Sequence, residues 1–302
     1  MSISERYKIV ERIGGPTNRK FGEVFLARDL QLEQPVILKA VRKKNASQLV
    51  IDRLKNEALF TFKMEGLPSQ VELIETPDDF FLIRNYAAGQ TIDDYWKGLK
   101  KRERSKFVIE LFERLIPIFD HLKLNDVVHA DIKPSNIIIT NDKPFKVHLI
   151  DFGLAIHTQK PEVRKMIFPL GYAAPELLLN HIDIVSQKTD QFALGITLWR
   201  LYCSEMPLTH PNPSIFTNLQ LTHPIPQHSK LPREVFKIIE RMCRKHQFTL
   251  PPNKMEREKV RNNLVYAMKL RYDNFSDILF DLSKITKKRS LLPNNIFSIT
   301  KI

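Results

Sequence analysis

The segment His129-Ala130-Asp131-Ile132-Lys133-Pro134-Ser135-Asn136, followed by Asp151-Phe152-Gly153, constrains this chain more than any other feature. Asp131, Asn136 and Asp151 offer three oxygen donors within about twenty residues, with one ammonium, Lys133, among them. That set suits phosphoryl transfer from a magnesium nucleotide. Asp131 can orient a hydroxyl and receive its proton. Asn136 and Asp151 can hold Mg²⁺, and Lys133 can neutralise charge on the moving phosphoryl group. Many loops carry an Asp and an Asn, but few carry HxDxKxxN between an apolar helix and an apolar strand with Asp-Phe-Gly beyond.

At 302 residues and 43% hydrophobic content, the chain can bury one large core or two smaller lobes. No apolar run reaches the roughly 18–20 residues of a membrane helix, and residues 1–11 lack the apolar stretch of a signal peptide. Cys203 and Cys243 are too few and too separated for a disulfide framework and sit in helix-like apolar contexts. A soluble, cytoplasmic protein with buried thiols is expected. The formal charge of +13 is spread along the chain, with no arginine-rich arm and no nucleic-acid motif, so solvated helix faces explain it better than nucleic-acid binding. Only nine glycines occur, well below the roughly 7% of average usage.

Short segments rich in strand formers predict β-structure at 7–10, 23–27, 36–41, 71–74 and 80–86. Val50, Leu54, Ala58 and Phe62 recur at helical spacing after Ser47, a candidate N-cap. Beyond Gly89 the pattern turns helical. Helices are expected over 105–124 with a bend at Pro117, over 189–202 as a buried central helix, over 233–245, within 254–270, and over 274–285. Two strands flank the key loop at 137–140 and 146–150, a proline-rich loop spans 207–232, and a tail runs to residue 302. The architecture implied is α+β and bilobal: a small β-rich lobe over 1–88, then a larger helical lobe over 89–285 with an insertion at about 246–270. The tail covers 286–302.

Further motifs fall in a fixed order. Ile13-Gly14-Gly15 and Phe21-Gly22-Glu23-Val24 bracket a hairpin turn, Val36-Ile37-Leu38-Lys39 ends a strand on a lysine, and Glu57 follows eighteen residues later. Gly171-Tyr172-Ala173-Ala174-Pro175-Glu176, Asp190 and Arg271 complete the series. Together these resemble the eukaryotic-type serine/threonine protein kinase family over about residues 7–285. The resemblance implies ATP and Mg²⁺ as cofactors and a protein substrate. It puts Lys39 on the α/β-phosphates, held by Glu57, and the backbones of Asn85 and Ala87 on the adenine. Ile13, Val24, Ile37 and Ile138 would line the ring, and Gly14 and Gly22 would flank the phosphates. Thr91 or Asp94 would either reach the ribose or cap a helix. Glu176 would pair with Arg271, and Asp190 would accept hydrogen bonds from the catalytic-loop backbone. Lys133 favours Ser/Thr over Tyr as acceptor.

The chain departs from the family pattern in places. The glycine loop carries about three extra residues, with Pro16, Asn18, Arg19 and Lys20 in it. Ile37 stands where alanine is usual, Arg84 holds the gatekeeper position, and Pro169 replaces a threonine. Ala130 replaces an arginine that normally pairs with a phosphate on the activation segment, and Thr158 is the only Ser or Thr from Asp151 to Glu176. Activity without activation-segment phosphorylation is therefore expected. Two other readings stay open, a pseudokinase scaffold and a small-molecule kinase. Residues 241–274, with nine Lys/Arg against three Asp/Glu, could dock an acidic partner or form a solvated face. His121, His148, Trp96 and Trp199 read as packing or rim residues.

Overall fold

The computed structural model describes residues 3–14, 22–160, 167–248 and 250–290. Residues 1–2, 15–21, 161–166, 249 and 291–302 lie outside the described residues, and with them the expected glycine-loop positions Gly15, Pro16, Asn18, Arg19 and Lys20. A short helix α1 (Ile3–Arg6) leads into β1 (Tyr7–Ile13), β2 (Glu23–Asp29) and β3 (Gln34–Arg42). Helix α2 (Gln48–Glu57) follows, then β4 (Val71–Glu75) and β5 (Asp79–Asn85). The five strands form one antiparallel sheet in the order β1-β2-β3-β5-β4. In register, Lys39 faces Val24 on one neighbour and Leu82 on the other, while Ile37 faces Arg84. Cross-strand partners share a face and alternate residues return to it. Ile37 and Lys39 therefore stand on the same side as Val24 and Arg84.

Helix α2 is shorter than its sequence period suggests. It ends at Glu57, and Ser47 occupies the N-cap position without a side-chain cap bond. Ala58 and Phe62 continue the helical spacing, but Phe60, Phe62 and Leu67 leave the helix to join the core of the larger lobe. Phe60 and Phe62 pack on Phe152 with ring centroids 5.9 and 5.2 Å away. Burial of two aromatic rings outweighs the few tenths of a kcal/mol per residue that continued helix would gain. Gly66 closes this loop at φ 89°, where a Cβ would meet the Val147 carbonyl at 2.6 Å.

The larger lobe opens with β6 (Gln90–Thr91), α3 (Ile92–Gly98) and α4 (Lys101–Leu124). Helix α4 starts four residues earlier than expected, and Pro117 lies inside it without ending it. Strands β7 (Val127–Val128), β8 (Ile137–Ile139), β9 (Val147–Leu149) and β10 (Ile156–His157) surround the catalytic-loop segment. β10 pairs with β7, and β8 lies between β6 and β9. The helices α5 (Pro175–Leu178), α6 (Gln187–Cys203), α7 (Pro213–Thr222), α8 (Arg233–Met242), α9 (Arg257–Lys269) and α10 (Phe275–Ser290) follow.

Helix α7 corrects the expected proline-rich loop. Asn212 caps it by accepting from the Ser214 and Ile215 amides, and Pro213 occupies the first turn, where its missing N–H costs nothing. Helix α6 is buried from Thr189 to Trp199, capped by a reciprocal Ser186–Thr189 pair. Helix α8 buries Val235, Ile238, Ile239 and Met242, each stabilising by about 1.5–3 kcal/mol, and stops three residues short of expectation. Both thiols are buried, and burial pushes Cys203 up to about 11 and Cys243 up to about 12. No helix among the described residues is long and apolar enough to cross a membrane.

Candidate active site

β3 carries Lys39 toward α2, where its ammonium donates to Oε2 of Glu57 at 2.5 Å and lies 3.4 Å from Oδ1 of Asp151. One cation thus joins the smaller lobe to the Asp151-Phe152-Gly153 segment of the larger. Asp151 sits at φ 65°, in the left-handed region that side chains other than glycine seldom occupy. Burial alone would raise its carboxyl, but Lys39, Arg53, Lys133 and Arg84 outweigh it and hold Asp151 far below the ordinary carboxylate range.

The catalytic-loop residues converge on Asp131, whose side chain is fully buried. Its Oδ2 accepts from Lys133 at 2.8 Å and from the Asn136 amide nitrogen at 3.2 Å. Asn136 also donates to the Asp131 carbonyl at 2.8 Å. Both donations come from the amide nitrogen, so its oxygen is left as the acceptor, and it takes a Ser135 hydroxyl at 3.2 Å. Oδ1 of Asp131 is buried and has no protein partner. Burial raises the Asp131 carboxyl, against the attraction of Lys133.

The loop is held from beneath by Asp190 of α6, which accepts from the amides of His129 and Ala130, both at 2.9 Å. Burial nonetheless pushes Asp190 up to about 7. His129 is pushed down to about 4 by burial and is neutral. It accepts from the Asp131 amide at Nδ1 and donates from Nε2 to the Ile150 carbonyl at 3.1 Å, which fixes its tautomer through the network. Ala130 sits at φ 59°. Glu176 and Arg271 form a buried two-bond pair at 2.7 and 3.1 Å, with the Thr189 hydroxyl donating to Glu176 at 2.9 Å.

The residues expected on the nucleotide side differ in exposure. Ile13 and Gly14 are exposed, Val24, Asn85, Ala87 and Ile138 are half-buried, and Ile37 is buried. The Asn85 amide donates to the Gln70 carbonyl at 3.2 Å, and its side-chain oxygen accepts from the Ser69 amide at 3.1 Å. Gly22 sits at φ 93° with its Cα so near β3 that a Cβ would meet the Ala40 carbonyl at 2.7 Å. Arg84 turns toward Glu57, its Nε 3.6 Å from Oε1. Thr91 accepts from the Asp94 amide and donates to the Asp94 carboxylate at 2.7 Å, so this pair caps α3.

Two residues had no signal in the sequence. Asn56 of α2 directs its amide nitrogen to the carbonyls of Phe152, Gly153 and Ala155 at 3.3, 3.1 and 3.0 Å. Arg53, one turn earlier, reaches Oδ2 of Asp131 at 3.4 Å. On an amphipathic helix both read as polar-face residues, and only the docking of α2 on the larger lobe gives them partners.

Asn136 and Asp151 bring an amide oxygen and an ionised carboxylate, hard donors of the kind Mg²⁺ takes alongside nucleotide phosphates. Among the described residues, no group of three or more His, Cys, Asp or Glu is arranged to hold a metal.

Comparison with known proteins agrees with this geometry. The protein kinase domain family matches residues 7–250. The chain is 29% identical over 211 residues to the serine/threonine-protein kinase PrkC of Bacillus subtilis, covering 68% of this chain and 31% of that protein. It is 25% identical over 236 residues to the SNF1-related protein kinase catalytic subunit alpha KIN12 of Arabidopsis thaliana, covering 76% and 46%. With the serine/threonine-protein kinase SCH9 of Saccharomyces cerevisiae the figures are 26% over 216 residues, covering 68% and 25%. The chain therefore spans less than half the length of each of these relatives. With the match running from β1 through the end of α8, and a mixed α+β fold to carry it, the chain belongs to the protein kinase domain family.

Proposed function

We propose that this chain transfers the γ-phosphoryl group of ATP to serine or threonine hydroxyls of a protein substrate, with Mg²⁺ as cofactor. The observation that carries the reading is Lys39, a single ammonium within 2.5 Å of Glu57 and 3.4 Å of Asp151. That arrangement supports Lys39 as the cation for the α/β-phosphates, because the same ammonium bridges the two lobes.

Asp131 supplies the base. Its Oδ2 is engaged by Lys133 and Asn136, which leaves Oδ1 to accept the substrate hydroxyl proton as the oxygen attacks phosphorus. Burial makes this carboxylate more basic than one in water, against the attraction of Lys133. Asn136 and Asp151 would hold Mg²⁺, which supplies positive charge to the phosphate oxygens. Lys133 would neutralise the group in flight. Ala130 and the lone Thr158 support activity that does not depend on a phosphorylated activation segment.

The protein-substrate reading draws on Glu176 and Arg271, whose buried pair braces the segment after the catalytic loop, and on Asp190, which holds the loop itself. An acidic partner on 241–274 would meet mainly Lys254 and Lys269, because Arg244, Lys259, Arg261 and Arg271 pair with carboxylates, Lys245 and Arg257 donate to carbonyls, and Arg241 lies over the Tyr272 ring. The buried thiols favour a reducing, cytoplasmic setting.

The test is incubation with γ-labelled ATP-Mg²⁺ and a protein mixture, beside Asp131→Asn. The variant is expected to fall by ~10²–10⁴-fold. Equal labelling by both proteins refutes the role of Asp131. Nucleotide binding without any labelling points instead to a scaffold, and labelling of small molecules alone to a small-molecule kinase.

A further inference from the structure

Arg53 lies outside the set of residues that the chemistry of phosphoryl transfer requires. It is on α2, 78 residues from Asp131 in sequence, yet its guanidinium lies 3.4 Å from Oδ2 of that carboxylate. The side chain is 19% exposed, so it is folded into the cleft rather than solvated. The structure makes room for it: a Cβ on Gly153 would approach the Arg53 carbonyl at 3.3 Å and its Nε at 3.5 Å. Ala130, next to Asp131, brings no cation of its own to the loop.

We propose that Arg53 is a positioning residue for Asp131, its guanidinium reaching from α2 to the carboxylate oxygen that Lys133 holds from within the loop. The inference rests on the phosphotransfer role of Asp131 given above. Its consequence is that the orientation of the base depends on where α2 sits. Arg53, Asn56 and Glu57 occupy positions i, i+3 and i+4, one face of the helix. They contact Asp131, the carbonyls around Gly153, and Lys39 respectively. A displacement of α2 would release all three together.

The charged groups facing Asp131 are Lys133, Arg53 and Asp151, with the Asn136 amide and neutral His129 beside it. Two of these are cations, and both favour the ionised base. Lys133 can remain in place when Arg53 is removed, because its bond to Oδ2 comes from the loop itself.

The test compares Arg53→Gln and Arg53→Lys with the unmodified chain, using γ-labelled ATP-Mg²⁺ and dephosphorylated casein. Folding is checked by circular dichroism, and the order of the loop by hydrogen exchange of the 129–136 amides. Arg53→Gln is expected to lower kcat by ~10-fold or more with KM for ATP changed by less than about threefold, and to speed exchange in the loop. Arg53→Lys should recover much of both effects. An undiminished kcat overturns the proposal, as does a loss confined to KM or a lysine variant no better than glutamine. If the unmodified chain transfers no phosphate, the functional reading fails by itself. Hydrogen exchange of 129–136 then still decides whether Arg53 holds the Asp131 loop, unchanged exchange refuting it. Should Arg53→Gln fail to fold, Arg53→Met takes its place with the same supporting and refuting outcomes.

Discussion

The Arg84 guanidinium lies 3.6 Å from Oε1 of Glu57, while Lys39 takes Oε2 of the same carboxylate at 2.5 Å. One buried anion therefore serves two cations, and the three side chains are not equivalent. Removing Glu57 leaves Lys39 and Arg84 without their shared anion. Removing Arg84 leaves the short Lys39–Glu57 bond intact, and neither Arg84 Nε nor Glu57 Oε1 makes a hydrogen bond that would be lost. Glu57→Gln is expected to cost ~3–5 kcal/mol of stability and activity on the order of 10²-fold. Arg84→Met should stay within about 1.5 kcal/mol of the unmodified chain and retain most activity. Urea unfolding and ATP turnover of the two variants check the ranking; equal damage from both contradicts it.

Thr158 donates its hydroxyl to the Asp126 carbonyl at 3.2 Å, next to the β7–β10 pairing, and Ala130 offers no guanidinium to a phosphate there. A Thr158→Ala, phosphate-free preparation should lose about 1 kcal/mol from that hydrogen bond and keep its phosphotransfer rate. A large rate increase when Thr158 is phosphorylated would sink the idea.

Glu176 and Arg271 are 0% and 1% exposed and bonded through both guanidinium nitrogens. Arg271 also donates to the carbonyls of Lys188 and Arg244. Arg271→Met strands a buried carboxylate and two carbonyls, so a loss of ~3–5 kcal/mol is expected. The pair Glu176→Gln with Arg271→Met should cost less than the sum of the singles. A double-mutant cycle in urea measures the coupling; additive losses would show that the two side chains act separately.

Asp190 and His129 should tilt stability with pH in opposite directions. Asp190, at about 7 in the folded chain, holds a proton that the unfolded chain has released above about pH 4. Its contribution therefore weakens the fold as pH rises from about 4 to 7. His129, at about 4 when folded, excludes a proton that the unfolded chain binds below about pH 6.5. Its contribution strengthens the fold over nearly the same interval. The two slopes, each near 1.4 kcal/mol per pH unit, should largely cancel in the unmodified chain. In Asp190→Asn the His129 slope is uncovered, so stability relative to the unmodified chain should climb with pH between about 4.5 and 6.5. Urea midpoints across that range test it, and a pH-independent difference would remove Asp190 as the titrating group.

Much of the site was legible because its chemistry fixes residue identity at short spacing. Asp131, Lys133 and Asn136 lie within six residues, and their mutual bonds form inside one loop. Lys39 and Glu57 lie on adjacent elements whose strand and helix periods are plain in the sequence. The order of elements in both lobes could be read from the same periods. Helix ends could not. Ala58 and Phe62 keep helical spacing past Glu57, and only the Phe152 ring in another lobe explains why the chain leaves the helix there. Helix α7 was hidden because proline composition reads as loop, although Pro213 suits a first turn.

The sequence by itself determined which residues are equipped for the proposed chemistry, since charge, hardness and proton affinity belong to residue types and their local spacing. Tertiary structure decided how that chemistry is held. Arg53 and Asn56 meet their partners across 78 and 96 residues, a separation over which no period in the chain carries information. Glu57 gains its second cation only when β5 and α2 pack together. Contacts of this kind depend on the docking angle of whole elements, which is set by the summed burial of many apolar side chains and by no local pattern.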